Sequence, residues 1–257
     1  MGTARVRCAL AAALLLASLP ARAEVQPLSV DVRRDLAITL GATAGAVALT
    51  LPWAAPDECR WCSAGQFDTW VREQLLLSNP APARTASDVL VLGVLPVAAL
   101  ANSWFSARAG RAPTTVFWED TLVIAQAVSL TSLATEATKD ITARRRPSAG
   151  PTASGAAAKS FFSGHTSAAF AIAASAGTVS TMRGYPSAPW VWAGGMTLAT
   201  TVGYLRVAGD AHWATDVLVG AGVGGLIGFA VPWFFHRAEP GAKVAVLPAP
   251  GGFAVVY

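Results

Sequence analysis

The chain has 257 residues, a length typical of a single domain. Hydrophobic residues make up 53% of it, charged residues only 13%, and the mean hydropathy is +0.46. This composition excludes an ordinary soluble domain and is typical of a small polytopic membrane protein. The formal net charge of +4 is concentrated at the N-terminus, where Arg5, Arg7 and Arg22 have no acidic neighbour. The rest of the chain is nearly balanced, so we expect no nucleic-acid partner.

Residues 1–23 combine a basic start, an apolar middle and the ending Ala21-Arg22-Ala23. The pattern predicts a secretory signal peptide cleaved before Glu24, with an uncleaved anchor as the alternative. Cleavage implies export to the oxidising side of a bacterial inner membrane.

Two cysteines follow the predicted signal peptide, in the sequence CRWC. In an oxidising compartment, Cys59 and Cys62 predict a disulfide that closes a small ring. A thioredoxin-like redox pair would need a βαβ context, and a zinc site would need two more ligands. Those two readings are the alternatives.

Six apolar segments predict an all-α fold, a helical bundle of five to six mostly transmembrane helices with the active site at one end. Their many Ala, Gly and Thr residues suit close helix packing. Several are short for a bilayer that requires about 20 apolar residues per helix. The segments are 36–55, 87–105, 117–135, 167–182, 188–205 and 214–235.

The chain shows no repeat and no domain boundary within this bundle. We expect residues 24–86 to form an apolar helix and a periplasmic loop that carries the cysteines, and 87–235 to form the helical core. The loop contains FDTWVREQLL, an amphipathic stretch that predicts an interfacial helix. The tail, 236–257, forms a hairpin or stays loose.

The charges in the loops predict an orientation. Loops carrying Arg108, Arg111 and Arg183 are cytoplasmic by the positive-inside tendency, which puts the polar loops around 139–166 and 206–213 in the periplasm. A cleaved signal peptide followed by six crossings would put them in the cytoplasm. The simplest resolution is that 36–55 does not fully cross. The alternatives are an exported helical domain outside the membrane and an N-terminal segment that is not cleaved.

The first polar motif is KDITARRRP, at the end of an apolar helix. The ammonium of Lys139 and the forked guanidinium of Arg146 suit the oxygens of a phosphate. A cytoplasmic loop could carry the same residues without binding anything. We interpret the neighbouring Arg144, Arg145 and Lys159 as solvated loop charges, with guidance of an anionic head group as the alternative.

The second motif is SFFSGHTS, at the start of an apolar helix. Ser163 offers a hydroxyl, Gly164 allows close approach to a backbone amide, and His165 opens the helix, whose N-terminus favours an anion. The alternative is a serine that caps the helix beside an incidental histidine.

The third motif, RVAGDAHWATD, interrupts two apolar segments. A charge between such segments is costly unless it is paired, so the cluster predicts a functional site. His212 and Asp216 are four residues apart and share one face of a helix, so the carboxylate can fix the tautomer of the imidazole. A purely structural His–Asp pair is the alternative.

The order and spacing of the three motifs resemble the signature of the type 2 phosphatidic acid phosphatase and vanadium haloperoxidase superfamily, in its bacterial membrane-associated phosphatase branch. The motifs span 139–216, and the helices over about 87–235 resemble the helical core of that family. FDTWVREQL resembles the loop ahead of that core. Two departures are Phe162, where proline is common, and Leu205, where a serine often precedes Arg206.

The resemblance implies hydrolysis of a phosphate ester through a phosphohistidine, without a metal or any other cofactor. His212 would attack phosphorus, Asp216 would orient it, and His165 would protonate the leaving group and then activate water. The groups implied to bind phosphate are Lys139, Arg146, Ser163, the amide of Gly164, and Arg206.

Three functions are compatible with these residues. The first is a phosphatase at the periplasmic face of the inner membrane that acts on a lipid phosphate or diphosphate, with membrane lipids around it. The second is an exported acid phosphatase for soluble esters, or a vanadate-dependent haloperoxidase, with the same site. The third is a non-enzymatic membrane protein whose charged loops only set its topology.

Overall fold

In a computed structural model of the chain, the described residues are 24–238, 245–249 and 252–256; the predicted signal peptide lies outside them. The α-helices are α1 (Val32–Thr50), α2 (Gln66–Leu75), α3 (Ala81–Val89), α4 (Leu95–Ala109), α5 (Thr114–Thr142), α6 (Gly164–Met182), α7 (Ala188–Ala208) and α8 (Ala214–Ala230). The 3-10 helices are Pro52–Ala54 and Gly155–Ala158, and the π-helical turns are Leu90–Val94 and Val231–Phe235. Strands β1 (Ala245–Ala249) and β2 (Gly252–Val256) form an antiparallel hairpin.

The predicted all-α bundle is confirmed. Each of the six apolar segments lies on a helix, the amphipathic stretch forms α2, and the tail contains the hairpin that was one of its two expected forms. Two helical segments, Ala81–Ala109 and Ala214–Phe235, are long and apolar enough to cross a membrane by length and composition. For the other helices, crossing stays a prediction.

Helix α6 lies at the centre of the bundle and is buried along most of its length, because its side chains are small. Helix α8 packs on it through a stripe of glycines one turn apart, Gly220, Gly224 and Gly228. A Cβ atom at Gly228 would lie 2.6 Å from Ala171 O, and one at Gly220 would lie 2.8 Å from Ser163 O. The two backbones are therefore in direct contact, which only glycine permits at these positions.

Helix α1 runs beside α5 in the same direction, from one end of the bundle to the other. Near the start of α1, Asp35 O accepts a hydrogen bond from Gln126 Nε2 in α5, at 3.5 Å. Near its C-terminal end, Leu49 O accepts from Lys159 Nζ at 2.7 Å, beside the loop that follows α5. The end of α1 therefore lies with the polar motifs.

The N-terminal segment lies at the opposite end. Gln26 N donates to Arg183 O at 3.1 Å, and Arg183 follows the last residue of α6. Helix α6 has 19 residues, so its ends are about 28 Å apart. If the bundle spans a membrane, Glu24 and the polar motifs lie on opposite faces. A segment 36–55 that stops short of crossing does not fit this arrangement.

The contact between α6 and α8 predicts a position-specific effect of added methyl groups. Gly224→Ala would drive a Cβ into Ser167 O, so we expect the free energy of unfolding to fall by about 1–3 kcal/mol. Gly225→Ala is the matched control, because nothing lies within 4 Å of its Cβ position. The alanine there should raise helix stability by up to about 1 kcal/mol. Equal thermal unfolding midpoints for the two variants would contradict the direct backbone contact.

Candidate active site

The third motif forms a buried His–Asp pair at the start of α8. His212 is 2% exposed and Asp216 is fully buried. His212 Nδ1 lies 2.8 Å from Ser160 O and 3.5 Å from Asp216 Oδ2, so Nδ1 carries the proton and donates chiefly to the carbonyl. Nε2 keeps its lone pair, as a nucleophile requires. The sequence predicted Asp216 as the group that fixes the tautomer, but the nearer acceptor is the Ser160 carbonyl.

Asp216 is itself tightly held. Its Oδ2 accepts from Ser160 Oγ at 2.5 Å and from Trp213 N at 2.9 Å, and its Oδ1 accepts from Arg144 Nη1 at 2.5 Å. A carboxylate with this many donors stays ionised and cannot rotate away from His212. The pair is therefore preorganised without a ligand.

Burial, together with the charges of Arg146 and Arg206, lowers the pKa of His212 to about 3, even though the hydrogen bond and charge of Asp216 raise it. The imidazole of His212 is therefore neutral at physiological pH, the form that can attack an electrophile.

His165 is the second residue of α6, and it meets a carboxylate from α3. Its Nε2 lies 2.8 Å from Asp88 Oδ1. Arg206 Nη1 lies 3.2 Å from the same oxygen and 3.0 Å from Ser87 Oγ. Burial, together with the charges of Arg206 and Lys139, lowers the pKa of His165 to about 4, even though Asp88 raises it.

The first motif provides two cations with different surroundings. Lys139 lies in the last turn of α5, is 8% exposed, and has its Nζ 2.6 Å from Glu136 Oε1. Arg146 donates to three backbone carbonyls, at 2.9, 3.2 and 3.2 Å, and so ties its own loop to residues 156–159 and to Ala211. The first and third motifs are therefore directly connected.

Ser163 and Gly164 form the start of α6. Ser163 is buried, and its Oγ accepts from Thr166 N at 3.4 Å and from Thr166 Oγ1 at 2.9 Å, which makes it the N-cap. This is the alternative role that the sequence left open; phosphate binding by Ser163 stays a prediction. A Cβ at Gly164 would lie 3.0 Å from Lys139 Nζ, so glycine lets the ammonium sit against the helix N-terminus.

A cavity of about 240 Å³ lies beside these groups. Lys139, Gly164 and His165 line its polar side, and Val91 and Leu92 of the first π-helical turn line its apolar side. The site can therefore accommodate an anionic group next to an apolar one.

Two residues interpreted as solvated loop charges are in fact buried. Arg144 is 0% exposed and Lys159 is 8% exposed. Lys159 Nζ pairs with Asp140 Oδ1 at 2.6 Å, while Arg144 pairs with carboxylates on α2 and α8. That interpretation was wrong for both residues, because sequence alone does not show which acidic side chains the fold brings to them. Arg145 is partly exposed, as the interpretation requires.

Cys59 and Cys62 are joined in a disulfide with a Cα–Cα distance of 5.5 Å. The loop that carries this disulfide lies at the same end of the bundle as His165 and His212. Arg60 N donates to Ala143 O at 3.1 Å, and Arg145 N donates to Trp61 O at 3.0 Å. The cross-linked loop thus pairs with the backbone that leads into Arg146.

Sequence reasoning missed two carboxylates at the site. Asp88 contacts both His165 and Arg206, and Asp68 on α2 contacts Arg144 at 2.6 Å. Asp88 is a lone charge at the start of the apolar segment 87–105. Because an unpaired charge in such a segment is costly, its position indicates that Asp88 meets a cation in the fold. Asp68 gave no such signal, because an acidic residue on an amphipathic helix is ordinary.

The spacing of the three motifs in the sequence and their convergence in the structure agree with a comparison to known families. A family model described as the PAP2 superfamily matches residues 120–240, which include all three motifs. Residues 120–240 belong to the PAP2 superfamily. The resemblance drawn from the three motifs is thereby confirmed, and the helices α5 to α8 form this PAP2 region.

Individual relatives of the PAP2 region were found in sequence and in structure. A Porphyromonas gingivalis protein named lipid A 1-phosphatase is 42% identical over 79 residues, which are 31% of this chain and 17% of that protein. The chain therefore matches under a fifth of that relative. The transmembrane PAP2-type phosphatidylglycerolphosphate phosphatase of Bacillus subtilis is 20% identical with a TM-score of 0.44, over 77% of this chain and 90% of that one. LpxE of Aquifex aeolicus is 22% identical with a TM-score of 0.36, over 57% and 92%.

The cap at the start of the PAP2 region's α6 gives a test of the two roles considered for Ser163. Ser163→Ala removes the N-cap, so the free energy of unfolding should fall by about 1 kcal/mol, while the affinity for vanadate measured by calorimetry should not change. Ser175→Ala, in the same helix but away from its end, is the control for lost hydroxyls. A loss of vanadate affinity in Ser163→Ala at unchanged stability would reverse the assignment and make the hydroxyl a ligand.

Proposed function

We propose that the chain is a metal-independent phosphatase that hydrolyses the phosphate monoester or diphosphate of a membrane lipid through a phosphohistidine at His212. The observation that carries the proposal is the Nδ1–H bond of His212 to Ser160 O at 2.8 Å, which leaves Nε2 free as a nucleophile. The nucleophile lies in the positive field of Arg146 and Arg206. A neutral imidazole in a cationic site suits attack on a phosphate anion.

In the first step, the Nε2 lone pair attacks phosphorus and the bond from phosphorus to the leaving oxygen breaks. His165, when protonated, gives its Nε2 proton to that oxygen, so the leaving group departs as an alcohol or a phosphate. The N–P bond leaves a positive charge on the ring of His212, and the ionised Asp216 stabilises it at 3.5 Å.

In the second step, water attacks phosphorus from the side that the leaving group has vacated. The now neutral His165 accepts a proton from the water, the N–P bond breaks, and inorganic phosphate forms. His212 returns to its neutral form with Nδ1 still bonded to Ser160 O, so the tautomer is reset for the next cycle.

Lys139, Arg146, Arg206 and the Gly164 amide would bind the equatorial oxygens, where negative charge collects in phosphoryl transfer. Before substrate binds, Asp88 shares Arg206 and His165. An incoming phosphate offers oxygens of the same kind to both groups, so it competes with Asp88 for Arg206.

A lipid substrate is supported by the surface around the bundle. Large apolar side chains are exposed along the helices, with Leu92 at 75%, Phe105 at 68%, Leu226 at 67% and Phe234 at 72%. Such a surface is costly in water and is expected in a bilayer. The relative named lipid A 1-phosphatase supports a lipid phosphate as the substrate class.

A periplasmic site is supported by the disulfide, since the Cys59–Cys62 loop lies at the site end and disulfides persist in oxidising compartments. With α1 crossing the membrane, Glu24 then lies on the cytoplasmic face. A periplasmic site and a crossing α1 therefore do not fit cleavage before Glu24 on the periplasmic side.

The nucleophile is tested by His212→Ala in detergent-purified protein with EDTA present. We expect the wild type to release phosphate from p-nitrophenyl phosphate and from a phosphorylated lipid, and the variant to lose at least about a thousandfold in kcat, because no covalent intermediate can form. The chain's third histidine, His236, contacts Gln126 and Ser29 away from the site, so His236→Ala is the control. Retained activity in His212→Ala, or loss of wild-type activity in EDTA, would refute the route.

Asp88 gives a prediction for the dependence on pH. Catalysis requires protonated His165, so kcat/KM should fall as the pH rises through the pKa of His165, which is about 4 in the empty site. Asp88 raises that pKa, so Asp88→Asn should move the alkaline limb of kcat/KM to lower pH.

The matched control for this profile is Asp57→Asn, since Asp57 is exposed and lies in the loop before α2. Its pH profile should equal that of the wild type. An alkaline limb that stays in place or moves to higher pH in Asp88→Asn would show that Asp88 does not act on His165.

A further inference from the structure

Arg144 differs from the other arginines of the RRR run because its guanidinium pairs with carboxylates, whereas theirs donate to backbone carbonyls. It is fully buried, and its guanidinium forks between two carboxylates. Nη1 donates to Asp216 Oδ1 at 2.5 Å, and Nη2 donates to Asp68 Oδ2 at 2.6 Å. Because Arg144 is fully buried and both of its terminal nitrogens pair with carboxylates, its guanidinium is not accessible to a substrate.

Asp68 links this contact to the start of α8. Besides Arg144, it accepts from Thr215 N at 2.9 Å and from Thr215 Oγ1 at 2.8–2.9 Å. Thr215 lies between Trp213 and Asp216, so α2 holds the helix start that carries the catalytic carboxylate. Arg144 and Asp68 therefore connect the loop after α5 and helix α2 to the start of α8, beside Asp216.

An aromatic ring closes the cluster on its outer side. Trp61, within the disulfide loop, lies 3.8 Å from the Arg144 guanidinium carbon, measured to the ring centroid. A stacked ring excludes water and adds a cation–π contact. The low dielectric that results strengthens the attraction between Arg144 and its two carboxylates.

We propose that Arg144, paired with Asp68, is a positioning residue that fixes the Asp216 carboxylate behind His212. The inference rests on the proposed function. It assigns Arg144 of the first motif to the Asp216 carboxylate rather than to the phosphate. Lysine would not replace the arginine, because an ammonium is a point charge and does not bridge two carboxylates in a plane.

The charge balance predicts an electrostatic effect that simple packing would not produce. The charged groups that act on the His212 imidazole are Asp216 on α8, Arg146 in the loop after α5, and Arg206 on α7. Arg144 neutralises part of the charge of Asp216. Without it, the His212–Asp216 pair binds its first proton at higher pH, whichever member receives that proton.

The test compares Arg144→Gln, Arg144→Gln combined with Asp68→Asn, and Arg145→Gln. The double variant restores the charge balance of the cluster, so it protects against failure of the single variant to fold. Arg145 is the matched control, because it is adjacent and partly exposed, and its side chain donates through Nε to the carbonyl of Cys62 and not to a carboxylate of the site. Each full-length protein is checked by circular dichroism before measurement.

Two readouts are taken. Histidine NMR follows the His212 imidazole as the pH is lowered through its transition, whose pKa in the wild type is about 3. Steady-state hydrolysis of p-nitrophenyl phosphate gives kcat and KM. We expect Arg144→Gln to raise the pH of the His212 transition by about one unit, and to lower kcat by about ten- to a hundredfold with KM nearly unchanged. The double variant should show a smaller NMR shift but the same loss of kcat, since the fork is absent in both.

An unchanged His212 transition and kcat in a folded Arg144→Gln protein would overturn the inference. So would an increase in KM at constant kcat, since that result assigns Arg144 to the phosphate. A wild-type protein without hydrolytic activity whose His212 transition still responds to Arg144→Gln would refute the proposed function and support the positioning role. The two failures are therefore distinguishable.

Discussion

The backbone contact between α6 and α8 is the constraint on which the site depends. Gly220, Gly224 and Gly228 let the two helices approach until no side chain fits between them. At the end of that contact, Ser163 N donates to Asp216 O at 3.1 Å, which joins the second motif to the third. The backbone packing of these two helices therefore places the helix starts beside His165 and His212 next to each other. The electrostatic features of the site follow from this approach.

The second requirement is that the buried charges are balanced. The three arginines of the first motif have separate roles: Arg144 meets carboxylates, Arg145 is partly exposed, and Arg146 donates to backbone carbonyls near the histidines. Each buried cation has an anion or a carbonyl in contact, as the cost of burying a charge demands. Glu136 and Asp88 then hold Lys139 and Arg206 without filling all of their donors. The site combines a net attraction for anions with a stable empty form.

The far end of the bundle has its own buried charges. Arg183 pairs with Asp120 Oδ1 at 2.7 Å and with Glu119 Oε2 at 2.6 Å, and it also donates to Gln26 O. These contacts attach the segment that begins at Glu24 to the end of the bundle that lies opposite His165 and His212. The contacts of Arg183 thus place Glu24 at the end of the bundle opposite the face on which hydrolysis is proposed.

The sequence by itself determined the helices and the three motifs. Apolar periodicity, small residues and the spacing of Lys139, His165 and His212 are local properties, so the all-α bundle and the family could be predicted from them. The tertiary structure decided which partner each charged group meets. Asp68 lies 76 residues before its partner Arg144, and Asp88 is likewise remote in sequence from its partners His165 and Arg206, so the sequence did not show which cations these carboxylates meet.

 The contacts of Asp68 and Asp88 arise only when α2 and α3, which carry them, dock on the ends of α5 to α8. The fold likewise decided the tautomer of His212. Its Nδ1 contacts the backbone carbonyl of Ser160, and because every residue has such a carbonyl, the amino-acid sequence does not indicate this contact.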